Sequence, residues 1–348
     1  MNKIANFTNN VWVTYSTSAA YTPTVVALGK FDGLHCGHQQ VIQPILNHIR
    51  TQELGKKSRS LAKEHIYPTV VTFNPHPQEF FTGKPWSLLT PLQEKVQQLQ
   101  NCGIEQLVLL PFDKELTALS PQDFVEKILV QQLKAQMISV GEDFRFGKHR
   151  SGTTSDLQDI AAKFDIPVVI VPNYSFQGER ISSSSIRQAL AKGDIHRAKV
   201  LLNYPYNFTG KVVKAQQLDR TIGFSPANIQ LTANKLLPRH GVYAVRVFIV
   251  NETVDASSLS NHLLPIGVGV MNVAHHLIVN DTYPSVEVHL LDWLGDLCDK
   301  TLTVQLEEFL RPEQKFSSLE TLKAQITADC AKARYLLLRS TNLEKFAG

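Results

Sequence analysis

The first two hundred residues alternate short apolar runs with stretches whose apolar side chains recur every three or four positions. Thr24 to Leu28 (TVVAL), Tyr67 to Phe73, Gln106 to Leu110, Met137 to Val140 and Val168 to Val171 are short and rich in β-branched residues, so they predict buried strands. Between them, Val41, Ile42, Ile45, Leu46 and Ile49 mark a helix ending near Gly55. Leu92 to Gln100, Pro121 to Leu133 and Ser155 to Phe164 predict three more. Such alternation predicts an α/β fold with a doubly wound parallel sheet covered by helices. Lys56 to His65 is polar and basic without periodicity and reads as a lengthened surface loop.

The texture changes after Leu202. FTGKVV, ANIQL, GVYAVRVFIV, IGVGVMNV, SVEVHLL and TLTVQLEEF follow one another without helices, which predicts an antiparallel barrel or a sandwich. One long helix closes the pattern, Ser318 to about Leu337, with Leu319, Leu322, Ile326, Cys330 and Ala333 along one face. The expected domains are therefore residues 1–202 and 203–348.

A chain of 348 residues is long enough for two such cores. Its 35 basic and 31 acidic residues leave a net charge of only +4, which argues against a dedicated nucleic-acid or membrane-surface binder. Cys36, Cys102, Cys298 and Cys330 are far apart and form no C-x-x-C pair, so neither a disulfide framework nor a zinc cage is expected. Met1 to Thr22 lacks the basic start and apolar stretch of a signal peptide, and no run reaches the length of a membrane span. A reduced, cytoplasmic setting is the expectation; the oligomeric state is left open.

The most informative stretch is Gly29-Lys-Phe-Asp-Gly-Leu-His-Cys-Gly-His-Gln39, in the first strand-to-helix turn. A helix N-terminus offers unpaired N–H groups and a positive dipole end to a phosphate. Gly29, Gly33 and Gly37 let the backbone approach a ligand, and His35 and His38 can donate to triphosphate oxygens as charge builds on a leaving pyrophosphate. The bland alternative is a pair of surface or capping histidines, yet H-x-G-H arises by composition in only about one shuffled chain in fifty. The pattern resembles the nucleotidylyltransferase superfamily, with its Rossmann-like sheet. Thr72-Phe-Asn-Pro-His-Pro77, Val140-Gly-Glu-Asp-Phe-Arg-Phe-Gly147 and Ile181-Ser-Ser-Ser-Ser-Ile-Arg187 follow in order. With them the chain resembles, over nearly its whole length, the prokaryotic bifunctional riboflavin kinase/FAD synthetase family.

That resemblance implies FMN adenylyltransferase activity, with ATP and FMN as substrates, Mg²⁺ as cofactor, and FAD and pyrophosphate as products. It assigns His35 and His38 to the triphosphate and Ser183, Ser184 and Arg187 to the β- and γ-phosphates. By itself a serine-rich helix start is more often just an N-cap. Asn74, His76, Asp143 and Phe144 fall on the adenine/FMN side, although His76 between two prolines also reads as a rigid turn residue and Arg145 as a solvent-facing one.

The family's second module is a β-barrel that phosphorylates riboflavin, and here the pattern departs. Ala215 and Asp219 stand where glycines are expected before Arg220-Thr-Ile-Gly-Phe224. A β-carbon restricts the loop, and a carboxylate repels a triphosphate. The family's P-T-A-N reads Ser225-Pro-Ala-Asn228. Pro226 offers neither hydroxyl nor N–H, and a one-residue shift to use Ser225 would reverse its face in a strand. Asn228 survives as a metal and phosphate ligand, and Glu287 as the family's general base. The flavin-side N-I-G-x-R-P-T reads Asn272-Val-Ala-His-His-Leu-Ile278. These losses predict an impaired kinase module beside an active adenylyltransferase. The alternatives are a fully bifunctional enzyme and, from another class, a non-catalytic flavin or nucleotide sensor.

Overall fold

The computed structural model describes residues 11–54, 64–213, 226–250, 263–274, 278–279 and 283–346. Packing gathers the chain into two compact units, Met1–Trp86 with Leu92–Ser182, and Ser87–Pro91 with Ser183–Gly348.

Among the described residues, the first unit holds strands β1 (Trp12–Thr14), β2 (Thr24–Leu28), β3 (Tyr67–Asn74), β4 (Gln106–Pro111), β5 (Ala135–Gly141) and β6 (Val168–Val171). They pair in parallel in the order β1-β4-β3-β2-β5-β6. Helices α1 (Cys36–Leu54), α2 (Pro77–Thr82), α3 (Leu92–Asn101), α4 (Lys114–Ala118), α5 (Pro121–Asp123) and α6 (Thr154–Ala162) intervene. Alternate residues of each strand enter opposite cores, so both sheet faces are apolar. Val25, Ala27, Val70 and Leu107 pack with Ile42, Ile45, Val96 and Leu99 of α1 and α3. Val26, Leu28, Val71 and Val108 pack with Phe124, Leu129, Leu157 and Ala161 on the other face. This is the doubly wound sheet that the pattern predicts. The helix expected over Pro121–Leu133 forms, but from Phe124 to Gln132 it runs in wide π-type turns. The three-residue β1 is too short to show a pattern of its own, and residues 56–63 of the expected surface loop lie outside the described residues. A small hairpin, β7 (Ser175–Phe176) and β8 (Glu179–Arg180), precedes the end of this unit.

The second unit begins with α7 (Ser183–Lys192) and α8 (Ile195–Leu202), followed by β9 (Asn207–Val213), β10 (Ala227–Gln230), β11 (Gly241–Val250), β12 (Leu263–Val273), β13 (Ile278–Val279), β14 (Tyr283–Leu290), β15 (Thr301–Pro312) and α9 (Leu319–Phe346). Neighbouring strands run antiparallel in the order β10-β9-β15-β11-β12-β14-β13, and β10 also pairs with β14. That last pairing closes six strands into a barrel and decides between barrel and sandwich. Helix α9 covers the outside of the barrel, setting Cys330, Ala333 and Leu337 against Val242, Ala244 and Val270. Its first turn departs from the expected face, because Leu319 is 44% exposed.

A nearly buried ion pair fastens α9 to the barrel. Arg311 at the end of β15 donates from Nε and Nη2 to Asp329, both at 2.9 Å, and Gln325 Nε2 donates to the other carboxylate oxygen. Removing one partner strands the other charge away from water. Asp329→Ala is expected to cost roughly 3 kcal/mol of stability in urea unfolding; a loss below about 1 kcal/mol would show that the pair is not needed.

Candidate functional site

Strand β2 lies at the centre of the sheet, and its successor β3 pairs on one side while β5 pairs on the other. The chain therefore winds away in both directions from the C-terminal end of β2, the place where open α/β sheets bind ligands. Residues 29–35 form that end. Gly29 donates its N–H to the Val71 carbonyl, and the Thr72 hydroxyl donates to the Lys30 carbonyl at 2.8 Å, so β3 holds the loop. A β-carbon on Gly29 would meet the Phe31 ring at 3.3 Å. Phe31 and Leu34 are fully buried at φ 47° and 41°, with Gly33 at 93° between them. Two non-glycine residues with positive φ cost on the order of 1–3 kcal/mol each. Their burial in the α1 side of the core offsets that strain.

The loop delivers His35 to the start of α1. His35 Nδ1 accepts the N–H of His38 at 3.3 Å, and the His35 carbonyl accepts the N–H of Gln39. An imidazole thus takes the helix-capping place usually given to Ser or Asp. Because Nδ1 is the acceptor, the neutral ring carries its proton on Nε2. The His38 ring stacks on His35 with centroids 3.7 Å apart and 19° between planes, and Phe31 packs on its other side at 5.2 Å. His38 Nδ1 is out of solvent reach and makes no hydrogen bond. Gly37 makes room for the stack, since a β-carbon there would sit 3.1 Å from His35 Cε1 and 3.2 Å from Nδ1.

Burial keeps both rings neutral. It lowers His35 to about 4, against the opposing pull of Asp32. His38 is pushed well below its ordinary value by burial first, then by His35, Lys95 and Lys30. Lys30 and Lys95 are themselves lowered by burial; Asp32 raises both, and Asp143 also raises Lys30, while Arg150 lowers Lys30 further. Arg180 pairs with Asp143 at 2.5 Å and is felt at His35. Three basic side chains, Arg180 at His35 and Lys95 and Lys30 at His38, act on the two neutral imidazoles, against the carboxylates of Asp32 and Asp143 at His35. The environment suits an anion.

The other expected residues have definite places. Asn74 is exposed at the end of β3, and its carbonyl accepts the N–H of Phe112. His76 caps α2, with Nδ1 accepting from Gln78, and stacks on Trp86 at 5.4 Å. Phe144 is half-buried, parallel to Phe146 and packed on the core, and Arg145 is exposed. Ser183 and Ser184 open α7 in the second unit, where the Arg187 Nη2 donates to the Ser87 carbonyl at 2.7 Å.

In the barrel, Asn228 on β10 is the direct partner of Glu287 on β14, which in turn faces Asn272 on β12. Direct antiparallel partners point to one face, so three half-buried polar residues form a row. Pro226 is half-buried just before β10 begins. Ala215, Asp219 and Ser225 lie outside the described residues.

Comparison with known proteins covers both units. The sequence profile of the FAD synthetase family matches residues 17–185, and that of the riboflavin kinase family matches 202–337. Curated relatives described as bifunctional riboflavin kinase/FMN adenylyltransferase include one from Escherichia coli (strain K12), 36% identical over 311 residues, covering 89% of this chain and 91% of the relative. Another, from Pseudomonas fluorescens, is 36% identical and covers 91% and 94%; one from Bacillus subtilis (strain 168) is 32% identical and covers 92% and 94%. The chain belongs to the bifunctional riboflavin kinase/FMN adenylyltransferase family. A solved structure described as a macrolide-efflux protein from Streptococcus pneumoniae also matches, with a TM-score of 0.73, 28% identity and coverage of 92% of this chain and 97% of that one. Among the described residues no helix is long and apolar enough to cross a membrane.

Within this family member, Lys95 is the site residue that sequence reasoning missed, and its signal was present. It lies on the stripe Leu92, Val96 and Leu99, so a lysine occupies a position that helical spacing turns inward, and it is 6% exposed. Lys30 and Asp32 lie within the Gly29–Gln39 stretch and Arg180 directly before Ile181, and motif spacing alone gives none of them a role. Two outcomes follow from the geometry. His35 stays neutral in the fold down to about pH 4 while the unfolded chain takes up a proton near 6.5. Its contribution to stability is therefore present above about pH 6.5 and lost as pH falls toward 4, a swing of roughly 3 kcal/mol. His35→Gln is expected to flatten the melting temperature between pH 7 and 4; an unchanged slope would refute the buried neutral imidazole. Gly37→Ala is expected to displace the His35 ring and cut turnover at least ~10-fold while shifting stability by less than ~1 kcal/mol, measured by steady-state kinetics and melting.

Proposed function

We propose that the protein makes FAD by transferring the adenylyl group of ATP to FMN, releasing pyrophosphate, and that its riboflavin kinase-like barrel is impaired. The observation that carries the first part is the pair of neutral imidazoles stacked at the N-terminus of α1, at the point where the strand order reverses. An oxygen of the FMN phosphate attacks the α-phosphorus of ATP, a P–O bond forms, and the bond to pyrophosphate breaks. The nucleophile is already an anion, so no residue has to remove a proton. His35 and His38 donate hydrogen bonds to the triphosphate, and the α1 dipole and surrounding cations offset the charge that builds on pyrophosphate. Gly29 and Gly33 let the loop backbone come close. Ser183, Ser184 and Arg187 hold the β- and γ-phosphates, and Asn74, His76, Asp143 and Phe144 lie on the adenine/FMN side.

Mg²⁺ enters as MgATP, part of the substrate. Its preference for oxygen ligands and retained water suits phosphate binding. We assign residues 1–202 to the adenylyltransferase module and 203–348 to the kinase-like one. Four free cysteines support a reduced, cytoplasmic setting.

The impairment rests on Pro226, which brings neither hydroxyl nor N–H to the edge of β10, and on Ala215 and Asp219 in place of glycines. Phosphoryl transfer depends on positioning and electrostatics, so a retained base alone does little. The row Asn228, Glu287 and Asn272 favours a second reading, a fully bifunctional enzyme.

The purified protein with MgATP is expected to convert FMN to FAD with release of pyrophosphate, and riboflavin to FMN at least ~100-fold more slowly. His38→Ala is expected to lower FAD formation by about 10²–10³, by analogy with loss of one oxyanion donor. No FAD from FMN would overturn the adenylyl-transfer reading and leave a sensor. Riboflavin phosphorylation at a rate comparable to FAD formation, or no gain on Pro226→Thr with Asp219→Gly, would overturn the impairment.

A further inference from the structure

Helix α7 carries the serine run and Arg187, and two of the contacts that hold it lead to residues of the barrel half. At its C-terminal end the Leu190 carbonyl accepts the N–H of Arg239 at 2.8 Å, and Arg239 Nη1 reaches the Lys192 carbonyl at 3.4 Å. The last carbonyls of a helix lack partners within it, and a guanidinium there also complements the dipole. The Arg239 guanidinium carbon lies 4.9 Å from the centroid of the Phe309 ring, on β15. Gly193, at φ 78°, ends the helix against both: a β-carbon there would meet Phe309 at 3.2 Å and Arg239 at 3.3 Å.

The other fixture reaches Arg187 through the five-residue strap Ser87–Pro91. The Leu88 N–H donates to the Asn234 carbonyl at 2.6 Å, and the Leu236 N–H donates to the Leu88 carbonyl at 2.8 Å, so the strap bridges to the segment around Lys235. Lys235 is 4% exposed. Its ammonium donates to the Leu89 carbonyl at 2.8 Å and sits over the Tyr206 ring at 4.1 Å and the Phe208 ring at 5.3 Å. Burying a cation is costly unless it is well satisfied, and here one carbonyl and two aromatic faces satisfy it. One end of the strap is thereby pinned by Lys235 at Leu89, and the other receives the Arg187 guanidinium at the Ser87 carbonyl. A guanidinium is a planar fork, so fixing one N–H fixes the plane of the rest.

We propose that Lys235 and Arg239, both in the kinase-like half, are positioning residues for adenylyl transfer: Lys235 sets Arg187 through the strap, and Arg239 holds the end of α7. The proposal rests on the reading that Arg187 and the serines bind the ATP phosphates. It gives the barrel a part in FAD synthesis whatever its own kinase activity.

The test uses the full chain, with initial rates of FAD formation at saturating FMN and varied MgATP. Lys235→Met is expected to raise KM for ATP about tenfold with less than a threefold change in kcat. In an Arg187→Ala background the same change is expected to raise KM less than about twofold, because the residue it acts through is gone. A merely structural lysine would cost the same in both backgrounds. Arg239→Ala, at an exposed side chain expected to leave folding intact, is expected to raise KM about threefold, again only when Arg187 is present. Near-ultraviolet circular dichroism and melting of each variant check the fold; if Lys235→Met does not fold, the Arg239→Ala cycle decides. Unchanged KM for ATP, or equal losses with and without Arg187, overturns the proposal while the parent protein still makes FAD. A parent protein that makes no FAD overturns the reading beneath it as well.

Discussion

One hydrogen bond organises the start of α1 in the first unit: the N–H of His38 donating to Nδ1 of His35. Nearly everything else there is a condition for it or a result of it. The bond caps α1, fixes the tautomer of one imidazole and brings the second ring into a stack 3.7 Å away. It requires Gly37, and it requires a loop that folds Phe31 and Leu34 under the helix despite their positive φ. A histidine that caps a helix through Nδ1 keeps its Nε2 proton for another acceptor. Burial keeps His35 uncharged, so that N–H is a neutral donor with a fixed direction, and the charges of Arg180, Lys30 and Lys95 are felt at the two rings.

In the second unit the closed ring of strands leaves Asn228, Glu287 and Asn272 side by side, with Pro226 half-buried just before β10 begins. The barrel also supports the segment that carries Arg187, through a buried lysine and an arginine at a helix end.

Much of this was legible in the sequence, and the reasons are local. TVVAL predicts β2 residue for residue, because a strand covered on both faces is apolar throughout. H-x-G-H marks the site because two rare residue types fall at the one turn where a helix starts from the central strand. The misses have equally specific causes. Trp12–Thr14 is too short to carry a period, and the wide turns of Phe124–Gln132 keep a helical pattern of apolar residues and so look like an ordinary helix. Leu319 fits the apolar stripe of α9 but lies beyond the part of that helix the barrel covers. Lys95 was passed over because a single lysine on a helix reads as solvated, whereas its spacing from Leu92 and Leu99 turns it inward. The strap could not be foreseen: Ser87–Pro91 has no periodicity, and its partner, the segment around Lys235, lies well over a hundred residues further along the chain.

The way the chain threads its two units bears on how such a protein can change over time. Because the second unit draws on Ser87–Pro91 as well as on Ser183–Gly348, a fragment begun at Ser183 would lack the strap's hydrogen bonds to the segment around Lys235. A descendant reduced to the second unit alone would have to replace what that strap supplies.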